Sequence, residues 1–172
     1  MFAKMNLKIQ FLDESHREDV RQLYLRLDKA STYQRFGSSL NVECVSAYVS
    51  RLNMSEGLVI GAFDGDNLVG VCEALPFIGE NGIRELAFVV DPAYRGQKVG
   101  YLLGRALLAE SDETLVVACM AENPSMNKLA QKLGFTRVGR LARSDLLPRE
   151  LVDELYTPYG LFAGEGDLRD AA

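Results

Sequence analysis

Apolar positions along the chain fall into short alternating runs and helical stripes. Residues 6–12 alternate as a strand does. Ser15, followed three residues later by Glu18, reads as a capping box. Val20, Leu23, Tyr24 and Leu27 then recur at helical spacing, which predicts a helix over about 16–28. Asn41 is placed to cap a second helix whose stripe is Val42, Val45, Val49 and Leu52. Between the two lies a polar stretch, Ser31 to Ser39, that holds Tyr33, Arg35 and Phe36. Residues 58–63 and 68–77 read as strands joined by the turn Asp64-Gly65-Asp66-Asn67. Asn81-Gly82 marks another turn, a strand over 83–90 follows, and Asp91-Pro92 stops it.

A third helix is expected over about 98–110, with Val99, Leu102, Leu103, Ala106 and Leu107 toward the core. Residues 114–120 have the composition of a fully buried strand. Asn123-Pro124 then supplies a cap with proline at the first helical position. The fourth helix carries Met126, Leu129, Ala130 and Leu133, and Gly134 ends it. Phe135 begins the last clear strand. Residues 148–156 fit either a helix or an edge strand, and 164–172 read as a loose tail. Hairpins first and a βαβ pair later predict the α/β class in its mixed α+β form. The expected architecture is a central mixed sheet of six to seven strands with about four helices on both faces.

At 172 residues, without repeats or an interdomain linker, the chain is expected to form a single domain, 1–172. Its net charge of −5 argues against a nucleic-acid partner, where a basic face would be expected. Cys44, Cys72 and Cys119 are odd in number and far apart, a pattern of neither a zinc site nor a disulfide framework. Each lies in an apolar stretch and is expected to be a buried free thiol. The amino-terminal residues lack a signal-peptide pattern, and no apolar run is long enough to cross a bilayer. No metal and no membrane partner are therefore expected, and the expected location is the cytoplasm.

The chemistry-bearing segment is Glu85-Leu-Ala-Phe-Val-Val-Asp-Pro-Ala-Tyr-Arg-Gly-Gln-Lys-Val-Gly100, which leads directly into the third helix. A strand ends here, and a short loop with Arg95, Gly96 and Gly100 opens a helix. Backbone amides in such a turn converge, and the helix N-terminus adds partial positive charge. The arrangement suits a phosphate or diphosphate, with Arg95 and Lys98 supplying formal charge. A tight strand-to-helix turn also needs glycine on steric grounds alone, so the loop by itself admits a purely structural reading. Its glycine spacing matches neither a Walker loop nor a Rossmann fingerprint.

With its flanks, the segment resembles motif A of the GNAT superfamily of N-acetyltransferases. Residues 123–135, NPSMNKLAQKLGF, resemble that superfamily's second signature. The two signatures stand in the right order, one strand apart. Ser31-Thr-Tyr-Gln-Arg-Phe36, with Met126 and Ala130, is more narrowly similar to acetyltransferase domains of bacterial protein-lysine acetyltransferases. The chain departs from the family pattern twice. Lys98 stands where the loop's middle glycine is usual, and Ala130 where many members carry a tyrosine that protonates the thiolate.

The resemblance implies acetyl-CoA as cosubstrate and an amine acceptor, either a small molecule or a protein lysine. It implies direct attack in a ternary complex, with Glu85 as general base. Val89 would polarise the thioester carbonyl through its N–H, and the backbone of Phe88, Val89 and Val90 would pair with the pantetheine arm. The diphosphate would lie on Arg95, Gly96, Gln97, Lys98, Val99, Gly100 and Tyr101, with Asn123 also touching the cofactor. Read without the resemblance, Glu85 is a strand-end carboxylate in solvent or paired with Arg84, and Asn123 is a plain helix cap. The general acid is unassigned; Ser125 and Tyr101 are near in sequence. A homodimer is compatible with the sequence, and so is a non-catalytic acyl-CoA sensor on the same scaffold.

Overall fold

The computed structural model of the chain describes residues 6–55, 58–77, 82–120, 123–142 and 152–158. Its contacts divide it into two compact units, residues 1–73 with 88–109 and residues 74–87 with 110–172. The described residues form seven strands, two of which, residues 67–76 and 83–90, contribute to both units. Among the described residues no helix is long and apolar enough to cross a membrane.

In the first unit β1 (Leu7–Phe11) lies antiparallel to β2 (Val59–Asp64), and β2 lies antiparallel to β3 (Asn67–Pro76). Gly65, at φ +61°, makes the hairpin turn that joins β2 to β3. The helices of this unit are α1 (Arg17–Leu25), α2 (Lys29–Phe36), α3 (Val42–Arg51) and α4 (Val99–Glu110). Val20, Leu23, Val45, Val49, Leu103 and Leu107 are fully buried from their helices. Arg17 of α1 donates to the carbonyls of Val49, which also accepts the Leu52 amide, and of Leu52, so it ties α1 to the C-terminal turn of α3.

Several expectations are corrected here. The capping box belongs to Asp13 and His16 around a 3-10 turn, Glu14–His16, rather than to Ser15 and Glu18. Glu18 pairs with Arg21 instead, at 2.8 Å. The first helix stops at Leu25 because Asp28 caps a new one, its carboxylate accepting from the Ser31 amide at 2.7 Å. The polar stretch is therefore largely helix α2, one of five α-helices among the described residues. Val42 is 56% and Leu102 38% exposed, since the buried stripe of α3 begins at Val45 and that of α4 runs through Val99, Leu103, Gly104 and Leu107. Cys44, in the first turn of α3, is exposed, whereas Cys72 and Cys119 are buried.

In the second unit the amino-terminal part of β4 (Ile83–Val90) pairs parallel with β5 (Thr114–Met120). β5 pairs antiparallel with β7 (Val152–Pro158), which pairs antiparallel with β6 (Phe135–Ala142). The ambiguous carboxy-terminal segment thus supplies an interior strand, neither a helix nor a sheet edge. Helix α5 (Pro124–Lys132) starts at Asn123, whose side chain accepts from the Met126 amide at 3.1 Å, and Gly134 follows it at φ +89°. The expected loose tail, 164–172, lies outside the described residues.

The first unit is organised around Glu73, a fully buried carboxylate in the apolar run of β3. One oxygen accepts from the Tyr24 hydroxyl of α1. The other accepts from Arg35 of α2 at 2.9 Å and from the Tyr48 hydroxyl of α3. Three helices are thereby tied to one strand by one side chain. The rings of Tyr24, Phe36 and Tyr48 close around it with centroids 5.0–5.8 Å apart, and the Arg35 guanidinium stacks 4.7 Å from the Phe36 centroid. A carboxylate taken out of water is costly unless paired and hydrogen-bonded, and this one is both.

Glu73→Gln keeps the shape but leaves Arg35 without its counter-charge, and a broken buried pair costs about 3–5 kcal/mol. A marked fall in the urea midpoint is expected; an unchanged midpoint would sink this account of the cluster. Burial, and secondarily the Glu73 charge, push the Tyr24 and Tyr48 phenols above their ordinary value of 10. Because the folded values are raised, the stabilisation is complete below about pH 10 and falls away above it as the unfolded chain ionises first. Urea midpoints measured from pH 8 to 11 should drop beyond 10, and drop less steeply in Tyr48→Phe.

Candidate functional site

Within the first unit, the end of β4 is clamped before the chain turns into α4. The Asp91 amide donates to the Val69 carbonyl of β3 at 2.9 Å. The Asp91 carboxylate, buried, caps the 3-10 turn Pro92–Tyr94 through the Ala93 amide and pairs with Arg26 at 2.8 Å. Arg26 also donates to the Leu68 carbonyl at 2.6 Å, and the Tyr94 hydroxyl donates to Asp64 at 3.1 Å. Gly70 lets α4 sit directly on β3. A Cβ there would come within 2.7 Å of a Val99 methyl and 3.1 Å of a Leu103 methyl. The start of α4 is therefore fixed on three sides by β3, by the hairpin and by the chain that precedes it.

Residues 95–98 form the turn between these anchors. Arg95 has φ −68°, Gly96 +72° and Lys98 +67°, and Lys98 is the one non-glycine residue with positive φ among the described residues. The sign of φ thus alternates from Arg95 to Lys98. Arg95 enters the turn extended, with ψ 156°, and the positive φ of Gly96 and Lys98 then bends the backbone so that its amides are suited to an anion. The first α4 ladder bond runs from the Leu102 amide to the Lys98 carbonyl at 3.0 Å, so the amides of Val99, Gly100 and Tyr101 belong to the open first turn. A Cβ on Gly96 would meet nothing within 4 Å, which makes its glycine a requirement of conformation and leaves its face clear. Gln97 braces the turn by donating to the Ala93 carbonyl at 3.1 Å, and Lys98 is exposed. Arg95 donates to the Ser31 hydroxyl at 2.5 Å and lies 4.0 Å from the Asp28 carboxylate.

Phe88, Val89 and Val90 lead into this turn, so they and residues 95–101 are brought together in one unit. Val89 is buried, while Phe88 and Val90 are half-buried. Lys98 does not disrupt the loop; it adopts the left-handed conformation that a glycine would take there. Glu85 and Asn123 belong to the second unit. Glu85 is half-buried in β4, in register with Val116 of β5, and its neighbour Arg84 donates to Glu113. Asn123 caps α5 as the sequence indicates. Ala130 is fully buried. Glu73 went unnoticed in the sequence; the available signal was a single carboxylate inside the run Leu68 to Pro76. Of the Ser31–Phe36 element, Arg35 and Phe36 belong to the Glu73 cluster, Ser31 reaches Arg95, and Tyr33 is exposed.

Comparison with known proteins identifies the family and the fold. The model of the acetyltransferase (GNAT) family matches residues 15–135. No curated protein sequence gives a significant match. Among solved structures, a GNAT-family acetyltransferase from Bacillus anthracis is 21% identical, with a TM-score of 0.68 over 91% of this chain and 96% of its own. The ribosomal L7/L12 alpha-N-protein acetyltransferase RimL, solved with coenzyme A, is 20% identical, with a TM-score of 0.67 over 90% of this chain and 93% of its own. The GNAT domain of S. lividans PAT is 17% identical, with a TM-score of 0.65 over 88% and 90%. These structures share the fold, and the family match spans 121 of the 172 residues (15 to 135 inclusive). The chain belongs to the GNAT family of acetyltransferases, whose cosubstrate is acetyl-CoA.

Proposed function

We propose that the chain transfers an acetyl group from acetyl-CoA to a primary amine by direct attack, with residues 95–101 holding the diphosphate. The observation that carries this reading is the alternation of φ across residues 95–98 at the opening of α4. A turn whose main-chain donors are backed by a helix N-terminus is complementary to a diphosphate, and Arg95 and Lys98 bring two positive charges to its rim. The clear face of Gly96 leaves room for a bulky anion to approach the backbone. Acetyl-CoA supplies the activated thioester acyl group.

The chain's own residues take the remaining tasks. The backbone of Phe88, Val89 and Val90 offers an extended edge for the pantetheine arm. The Val89 N–H is assigned the thioester carbonyl, a donor role worth about 3 kcal/mol in comparable oxyanion holes. An amine with pKa near 10 arrives protonated at neutral pH, so a base is needed, and Glu85 is assigned that role. Asn123 is assigned a cofactor contact in addition to its cap. Ala130 has no proton to give, so the departing thiolate is protonated from another source. The net charge of −5 favours a cationic acceptor through steering. The Ser31–Phe36 element, similar to that of bacterial protein-lysine acetyltransferase domains, supports a lysine side chain as the acceptor.

Glu85→Gln should lower kcat/KM by about 10²–10⁴ in a thiol-release assay run over lysine peptides, polyamines and aminoglycosides, as loss of a general base does. Protection against heat by acetyl-CoA should survive in the same variant. Full activity there would remove the base assignment, and protection with no turnover on any amine would identify a non-catalytic acyl-CoA binder. Lys98→Gly relieves a left-handed conformation that costs a side-chain-bearing residue about 1–2 kcal/mol. Its urea midpoint should rise while its affinity for CoA falls with the lost charge. A lower midpoint would show that the Lys98 conformation is not strained.

A further inference from the structure

The Arg95 guanidinium is held from one side by α2. Its Nη2 donates to the Ser31 hydroxyl at 2.5 Å, and its Nη1 lies 4.0 Å from an Asp28 carboxylate oxygen. Ser31 is buried, and its hydroxyl donates in turn to the other Asp28 oxygen, which also accepts the Ser31 amide at 2.7 Å. A hydroxyl that donates to a carboxylate presents its lone pairs away from it, here toward the guanidinium. Ser31 therefore passes the orientation of a helix cap to the side chain of the diphosphate turn. The Asp28 carboxyl is held below its ordinary range chiefly by its hydrogen bonds to Ser31, so it stays an acceptor at neutral pH. The Arg95 side chain remains 45% exposed, leaving much of its five-donor fork open.

A flexible arginine that has to be ordered by its ligand loses rotamer freedom on binding, and prior ordering removes that cost. Neither Asp28 nor Ser31 belongs to the turn itself. Ser31 lies on α2 and Asp28 caps it, a helix that the apolar pattern of the sequence leaves unmarked.

We infer that Ser31, fixed by Asp28, is a positioning residue that preorganises Arg95 for the diphosphate of CoA. The inference rests on the assignment of residues 95–101 to that diphosphate. It makes α2 part of the cofactor site without any contact between α2 and the reacting atoms. Selectivity for a donor with phosphates over one without them then depends on Ser31 as well as on Arg95.

The test is calorimetric titration of the full chain with CoA and, separately, with pantetheine, which lacks the phosphates. Arg95→Ala should weaken CoA binding about tenfold, the scale of a lost charged contact, and Ser31→Ala about fivefold. The double variant should be no weaker than Arg95→Ala alone, because the two residues act through one guanidinium. The preference for CoA over pantetheine should fall in step with each loss. Arg95→Lys keeps the charge but cannot serve Ser31 and a diphosphate with one planar fork, and should match Ser31→Ala; this provides a reading if Ser31→Ala folds poorly. Multiplying effects in the double variant, or equal weakening of both ligands by Ser31→Ala, would overturn the inference. So would wild-type binding in Ser31→Ala beside a weakened Arg95→Ala, and that result would leave the turn assignment standing. No effect of Arg95→Ala on CoA would remove Arg95 from the diphosphate site, and the inference with it.

Discussion

Placing Glu73 in the middle of β3 commits the first unit to one arrangement of its helices. An ionised carboxylate without water must find donors, and those within reach come from three separate helices: Tyr24, Arg35 and Tyr48. Hydrophobic contact alone tolerates sliding, since any apolar surface will cover another. A carboxylate whose two oxygens are shared among three donors does not tolerate it. The aromatic ring of Tyr24, Phe36 and Tyr48 then excludes water from the ion pair, which strengthens it. α2 depends most on this arrangement. It offers little apolar surface of its own and is held by Arg35 at one end and by the Ser31–Arg95 contact near the other.

The same economy governs the turn into α4. No single feature of residues 91–101 is unusual, but each constrains the next. Asp91 is fixed by Val69 and Arg26, Tyr94 by Asp64, and α4 by the missing side chain of Gly70. Once both ends are fixed, the four residues between them have only a tight path, and alternating φ is how that path is taken. The turn follows from the anchoring. Lys98 pays a conformational penalty that glycine would avoid, and the surrounding contacts are what hold it there.

Much of this was legible in the sequence, for identifiable reasons. β5 and the latter part of β4 are marked by apolar runs, and the start of α5 by Asn123-Pro124, signals that tertiary context reinforces. The turn at 95–101 could be located because glycine and the strand-to-helix handover are local features. α2 was not legible, since its stabilising contacts are polar and long-range, and a helix of eight residues carries too short a stripe. The Asp13–His16 capping box was displaced by two residues for a related reason: a 3-10 turn precedes α1, and Ser15 and Glu18 mimic the pattern in sequence. β7 read ambiguously because its place between β5 and β6 is set by pairing on both of its sides, which its own composition does not carry. The second unit contains Glu85 and Asn123, whose assigned roles rest on family resemblance more than on any local signal.

The interior position of β7 has a bearing on biosynthesis. β5 and β6 leave the ribosome before the segment that will lie between them. Until residues 152–158 emerge, each of those strands presents an unpaired edge, and edges of that kind recruit other chains. Proper closure of the second unit therefore waits on a stretch translated after both of its partners, and a stalled or clipped product ending short of Val152 would expose two adhesive margins at once.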